Sequence, residues 1–389
     1  MERAPAMSVT EADLTIDHEL SEICGLVPFL RYTTPVNVAE QRAAFNAGAT
    51  EPEFAYLPLP DLTELAERLT KVDPDRAVDP VVRHIARNKK RELQIRLDVL
   101  AARGTERFFL ASVELFGHVE ESILELATEL LTTPEDPPGD RVTISGDEFA
   151  AAARNEIAEY RLTYPELAAR VFVSESATGV RVENGDVYIG TDTRIALDRV
   201  EHLLHHEVGI HVLTYANGSA QPLHLLAVGL AGYGENQEAL GILAEHLSGG
   251  LAISRLHILA FRVVAAQLRS EQASFAEAVD RLLALGAGPR TAFTTTMRAY
   301  RAGGMTKDAV YLRGLVRLCE HLSAGGTLDG LLVGKVTLED EPLITELLDR
   351  KVLSPPPLRP RFLDTDIGRR LLDEIRAGAT VRDIGGIAA

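Results

Sequence analysis

The sequence predicts a mainly helical α+β protein with a small β-sheet or hairpin beside one histidine-rich helix. Three observations predict it. Apolar residues recur at three- and four-residue intervals over most of the chain, the spacing of helices that bury one face. One interval, residues 169–190, switches to β-branched or alternating character around Asn184-Gly185, a two-residue hairpin signal. The chain has 389 residues and is 46% hydrophobic, enough for a substantial core in one large or two closely packed domains.

Residues 1–20 are polar and acidic and read as a flexible leader or a solvated first helix. A helical region, 21–140, follows. Pro28 and Pro35 punctuate short apolar segments, a helix starts near Val36 to Glu40, EPEFAYLPLP is extended, and Asp61 caps the next helix. Pro80 to Leu131 reads as two long amphipathic helices joined at Gly104. The first carries the densest positive run, Arg83, Arg87, Lys89, Lys90 and Arg91. Such a run is a docking face for an acidic protein tail or, more commonly, a solvated helix face. TTPEDPPGD, residues 132–140, is an acidic, proline-rich breaker that opens a catalytic region, 141–389, packed closely on the first. A helix from Asp147 to Tyr160 leads into the strands. Their free edge is purely structural or pairs with an extended peptide by strand addition.

Residues 201–245 hold five of the eleven histidines. His206-Glu207-Val208-Gly209-Ile210-His211 reads as HExxxH, two imidazoles with a carboxylate directly after the first. A zinc hydrolase needs neutral imidazole ligands, a third protein ligand, an open position and a carboxylate that takes a proton from water. At about 100° per residue, a five-residue step leaves His211 about 140° from His206 on a regular helix. The spacing therefore predicts a local π-bulge, with Gly209 inside the interval as the position of least side-chain resistance. Glu207 and His211 share the apolar stripe with Val200, Leu203, Leu204 and Val208, and a carboxylate there needs a compensating partner. A salt-bridged Glu beside a core histidine is the alternative. His202 with His206 is a rival pair at four-residue spacing that leaves Glu207 and His211 unexplained. His205 and His224 read as packed or exposed, not as ligands.

Asn217 to Pro222 reads as a loop and pocket wall. Beyond the glycine-rich turn Ala231-Gly232-Tyr233-Gly234, residues 237–245 have helical spacing that puts Glu238 and Glu245 on one face. Glu238, near the helix start, is the candidate third ligand. Glu245, two turns deeper, suits an outer role toward a ligand histidine, with a solvated surface position as the alternative.

HHEVGIHVLTYANGSAQPL and GLAGYGENQEALGILAEHL resemble the family typified by the microtubule-associated tyrosine carboxypeptidase, met in bacteria as QEGLA-motif proteins. TMRAYRAGGMTKDAVYLRGLVRLCEHLSAGG, PVNVAEQRAAF and EPEFAYLPL extend the similarity over most of residues 28–362. The resemblance implies a zinc metallocarboxypeptidase in which His206, His211 and Glu238 are ligands and Glu207 is the base. One departure is visible: QEGLA is QEALG here, so Ala239 follows the ligand. Ala favours helix more than Gly, which keeps the ligand in place and leaves substrate preference open.

Residues 251–285 read as core helices. The segment 291–320 concentrates Arg298, Arg301, Lys307, Arg313 and Arg317 around Ala302-Gly303-Gly304. A carboxypeptidase must hold a free terminal carboxylate, and the planar fork of Arg donates two parallel hydrogen bonds to one. The candidates are Arg301, then Lys307, then Arg298, with Tyr300 and Tyr311 orienting the peptide or donating to the oxyanion. For each cation, pairing with Asp308 or Glu320, or lying exposed, is the alternative. SPPPLRP then forms a polyproline-like strap before a short final helix.

A formal charge of -17, from 40 basic and 57 acidic residues, argues against a nucleic-acid-binding surface. Cys24 and Cys319 lie far apart with no CxxC spacing, which fits a reducing cytoplasm. No stretch of eighteen apolar residues and no export signal is readable, so no membrane is expected as a partner. The sequence thus reads as an HExxxH zinc metallopeptidase that acts on the carboxy-terminus of a peptide or protein. The rivals are a zinc endopeptidase or aminopeptidase with the same site, and a non-catalytic regulatory protein with structural metal.

Overall fold

The computed structural model describes residues 9–135, 142–175 and 177–387. The first eight residues of the expected leader and residues 136–140 of the expected breaker lie outside them. Most of the described residues are helical, and among them are five short strands, in keeping with the α+β class. Among the described residues no helix is long and apolar enough to cross a membrane.

Residues 11–20 depart from the expected leader. The helix Glu11–Leu26 begins on a reciprocal cap in which Asp13 donates its amide to the Thr10 hydroxyl and accepts the Thr10 amide. Ile16, Leu20 and Ile23 are buried. Asp13 also accepts the amides of Val78 and Asp79, and Asp17 those of His224 and Leu225. The segment looked solvated because composition does not reveal that its acids satisfy backbone donors of distant segments.

Pro80 to Leu131 forms three helices, not two: Pro80–Ala101, Glu106–Phe116 and Glu121–Leu130. Gly104 and Gly117, with φ of 82° and 80°, make the breaks. The basic run does not gather into one docking face. Arg83 donates to the Ala77 and Val78 carbonyls, Arg87 pairs with Asp75, Lys90 donates to the Val72 carbonyl, and Lys89 is fully buried on Glu92. Arg91 reaches toward Glu114 at 3.8 Å.

The strands are β1 (Thr143–Ser145), β2 (Val171–Ser174), β3 (Val180–Glu183), β4 (Asp186–Gly190) and β5 (Arg194–Ala196). β1 pairs antiparallel with β5, and a second sheet has the order β2-β4-β3, parallel then antiparallel. The β3–β4 turn is the expected Asn184-Gly185, with φ of 50° and 79°, as a two-residue turn of this hand requires. A Cβ on Gly185 would lie 2.4 Å from the Tyr215 ring, so the hairpin tip rests directly on the helix that follows the histidines.

One apolar core takes in Ile16, Leu93 and Leu130, then Ile210, Leu243, Leu315 and Val381, so both halves of the chain contribute to it. A second cluster, with Phe149, Ile157, Val187 and Ile189, lies under the sheet and includes Val208, Val212 and Leu213. The histidine segment is wedged between the two. Asn217-Gly218-Ser219, expected as loop, instead continue a helix, Leu213–Ser219. Asn217 ties it down by donating to the Leu332 and Leu358 carbonyls, and Gly218 lets the Leu226 carbonyl come within 2.3 Å of where a Cβ would stand. These long-range contacts override the loop-like local composition.

Candidate metal centre

Val200–His206 is α-helical, Glu207–Val212 is π-helical, and the chain then returns to α. The wide turn absorbs the extra residue and brings His211 beside His206, with ring centroids 4.9 Å apart and planes at 75°. Gly209 is not a steric requirement of this turn. It has no positive φ, and a Cβ there would meet Phe362 at an ordinary 3.6 Å. Packing holds the turn: Val208 and Val212 enter the cluster under the sheet, and Ile210 enters the main core.

Donor atoms of His206, His211 and Glu238 lie within 4.8 Å of one another. Each has a backing partner. His206 Nδ1 stands 2.8 Å from Glu245 Oε1, which leaves Nε2 for an ion. Burial alone would raise Glu245, but Arg255, His206 and Arg199 hold it down at about 2, so it accepts the His206 proton as a carboxylate. His211 Nδ1 stands 3.4 Å from Gln237 Oε1, which also accepts from the Thr214 hydroxyl. Burial, aided by His206, pulls His211 down to about 4, which favours the neutral imidazole a metal requires. Glu238 accepts from the Tyr311 hydroxyl at 2.8 Å, and Lys307 Nζ lies 3.7 Å away. Against its own burial, Lys307 and the two histidines hold Glu238 at about 2.

Glu207 differs from these three. It is 7% exposed and makes no hydrogen bond or ion pair with the described residues. Burial pushes its carboxyl up to about 7; His206 opposes the rise, and Glu238 and Glu245 add to it. An unpaired buried carboxyl raised toward neutrality is suited to general-base work. Two imidazoles and one carboxylate form the donor set of catalytic zinc, and no fourth protein donor joins them among the described residues. The half-buried positions of His211 and Glu238 leave that side of the cluster accessible.

Two glycines on the Gly234–Leu247 helix and its neighbour were not singled out by motif. A Cβ on Gly241 would stand 2.5–2.7 Å from three atoms of the His206 ring, so the ring fits only against a bare backbone. Gly241→Ala is expected to displace that ring and lower metal affinity at least about tenfold with little change in far-ultraviolet circular dichroism. Unchanged metal content by atomic absorption would refute this. A Cβ on Gly314, in the helix Val310–Ser323, would lie 2.7 Å from the Glu235 carbonyl and 3.2 Å from Ala239 Cβ. Gly314 thus makes room for the Ala that follows Glu238 in this chain.

The structure sorts the expected substrate-binding residues. Lys307 and Tyr311 lie at the centre, on Glu238. Arg298 instead grips Asp308 through two nitrogens, with Nη2 at 2.8 Å. Arg301 is 5% exposed and donates to Thr34 and the Met305 sulfur. Tyr300 is turned away, donating to the Ala273 carbonyl beside Phe275. His202 faces Ser248, His205 packs on Phe362, and His224 meets His18, so none joins the cluster.

Sequence reasoning missed Gln237, Arg255, Arg262 and Lys335. Arg255 and Arg262 are seven apart on the helix Ile253–Ser270, the same spacing that singled out Glu238 and Glu245, so a signal existed. Lys335 lies outside any helix or strand, with Nζ between the rings of Tyr215 and Tyr233, and no pattern marks it.

Among solved structures, a lipoprotein candidate from Colwellia psychrerythraea is 12% identical. The match covers 87% of this chain and 69% of that one at a TM-score of 0.39, too distant to carry an argument. No curated protein matches the chain. The family model described as microtubule-associated tyrosine carboxypeptidase matches residues 43–379, nearly the whole chain. The chain therefore belongs to the microtubule-associated tyrosine carboxypeptidase family.

Proposed function

We propose that this protein is a zinc metallocarboxypeptidase that removes one residue, tyrosine or another bulky side chain, from the carboxy-terminus of a peptide or protein. The observation that carries the reading is the unpaired, buried Glu207 beside the convergent donors His206, His211 and Glu238. Family membership supplies the carboxypeptidase type.

His206 Nε2, an imidazole nitrogen of His211 and a carboxylate oxygen of Glu238 would hold the ion. When bound, zinc polarises a scissile carbonyl and makes water more acidic. Glu207 takes the proton of the attacking water and later hands it to the leaving amine, as its raised affinity for a proton allows. Glu245 and Gln237 fix the orientation of the two imidazoles. Tyr311 and Lys307 hold Glu238 in its charged form and in place.

A digest of peptides that differ only in a free or amidated carboxy-terminus tests the reading. Cleavage of the free form with release of one residue, and roughly 100-fold slower cleavage of the amide, is expected, because a buried cation left without its anion is penalised heavily. Equal cleavage of both, or internal cuts, would assign the site to an endopeptidase or aminopeptidase.

A further inference from the structure

The helix Ile253–Ser270 carries two arginines, Arg255 and Arg262, two turns apart on one face. Arg255 donates to Glu245 at 3.3 Å, and so takes part in holding His206. Arg262 has no such partner. Its guanidinium lies 4.7 Å from the centroid of the Tyr311 ring, and the Tyr311 hydroxyl donates to Glu238 at 2.8 Å. The ring therefore joins the cation on its face to the candidate ligand at its tip.

Most neighbouring cations are engaged. Arg298 holds both oxygens of Asp308, Arg255 and Arg199 hold Glu245, and Arg313 and Arg317 hold Glu235. Arg301 is buried, with Nη1 on Thr34 and Nη2 on Met305. Lys307 lies 3.7 Å from Glu238. Arg262 makes no hydrogen bond or ion pair with any described residue, although it is half-buried. Burial and the like charge of Arg298 lower it to about 10 although Asp308 partly opposes them, so a further anion at its fork would be favoured. Arg301 and Lys335 also lack an ion pair among the described residues, but Arg301 is only 5% exposed and is held by Thr34 and Met305, while Lys335 Nζ rests between two tyrosine rings, 5.3 and 5.6 Å from their centroids, and offers no planar fork.

We propose that Arg262 holds the free carboxylate of the residue to be released, in the place that the sequence suggested for Arg301 or Arg298. This rests on the carboxypeptidase reading. The terminal carboxylate lies one residue, about 3.5 Å, beyond the scissile carbonyl. A carboxylate gripped in the plane of the Arg262 fork would leave its own amide near Glu238, with Tyr311 as the wall between. Arg262 is then a binding and specificity residue that selects for a chain end.

The test measures binding of N-acetyl-tyrosine and N-acetyl-tyrosinamide by calorimetry, with zinc-loaded and chelator-treated protein, and KM and kcat on a peptide with a free carboxy-terminus. Wild type is expected to prefer the acid. Arg262→Met should lower acid affinity and raise KM at least about 30-fold with amide affinity unchanged, the loss expected when one partner of a desolvated charge pair is truncated. Arg262→Lys should keep part of the preference, and Lys335→Met all of it. Melting curves and metal content establish that each variant is folded and loaded, and Arg262→Lys carries the comparison should Arg262→Met fail to fold. An acid preference that survives in Arg262→Met, or disappears in Lys335→Met, overturns the assignment and leaves the carboxypeptidase reading standing. A wild type that binds acid and amide alike overturns both.

Discussion

Glu207→Gln is expected to lower kcat/KM by about 10²–10⁴-fold, the range of a lost general base, while zinc content stays at the wild-type level. Gln is close in shape to Glu and accepts no proton, so the change removes the chemistry and little else. The position favours retention of the fold. Glu207 has no hydrogen-bond partner to lose, and replacing a buried carboxyl pushed up to about 7 by a neutral amide removes a desolvated charge. Inductively coupled plasma analysis beside a progress curve reads both quantities. Loss of zinc together with activity would make Glu207 a ligand and sink its assignment as base.

His211→Ala and Glu238→Gln are each expected to abolish stoichiometric zinc binding and all measurable hydrolysis. Two of three donors rarely hold an ion against a chelator, and Glu238→Gln also leaves Lys307 and Tyr311 facing a neutral amide where they had a carboxylate. The same variants should lose the rise in melting temperature that wild type shows with added zinc. A ligand at a hundred times its dissociation constant stabilises the folded state by about 2.7 kcal/mol, and a site that no longer binds gains none of it. Calorimetric melting with and without zinc reads this directly. A wild type that melts alike in zinc and in chelator would remove the metal from the account.

The separate fates of the basic residues explain why an anchor for the substrate was harder to read than a metal site. Arg298 and Arg301 stood out because they cluster in sequence with Lys307. Clustering says nothing about which carboxylate each will meet. Asp308, ten residues from Arg298 and buried, claims that guanidinium, and Arg301 is directed at Thr34 from a segment far away in the chain. Arg262 lies in a segment that read only as core helix, and its lack of a hydrogen bond or ion pair exists only in the assembled fold.

Features that depend on local geometry were legible in the amino-acid order. The alternation around Asn184-Gly185 specified the hairpin, because a type I′ two-residue turn needs positive φ at both positions and Asn-Gly supplies it. The five-residue interval between His206 and His211 called for a widened turn, since helix pitch fixes where each side chain points. The seven-residue interval between Glu238 and Glu245 put both on one helix face. Tertiary structure alone decided what those side chains meet. It drew Glu11–Leu26 into the core, divided the basic run among internal acceptors, gave Glu245 to His206 and Gln237 to His211, and left Glu207 and Arg262 without a hydrogen bond or ion pair among the described residues. The reason is physical: periodicity sets direction over one or two turns, whereas the partner of a charged group is chosen by which distant segment packs closely enough to exclude water from it.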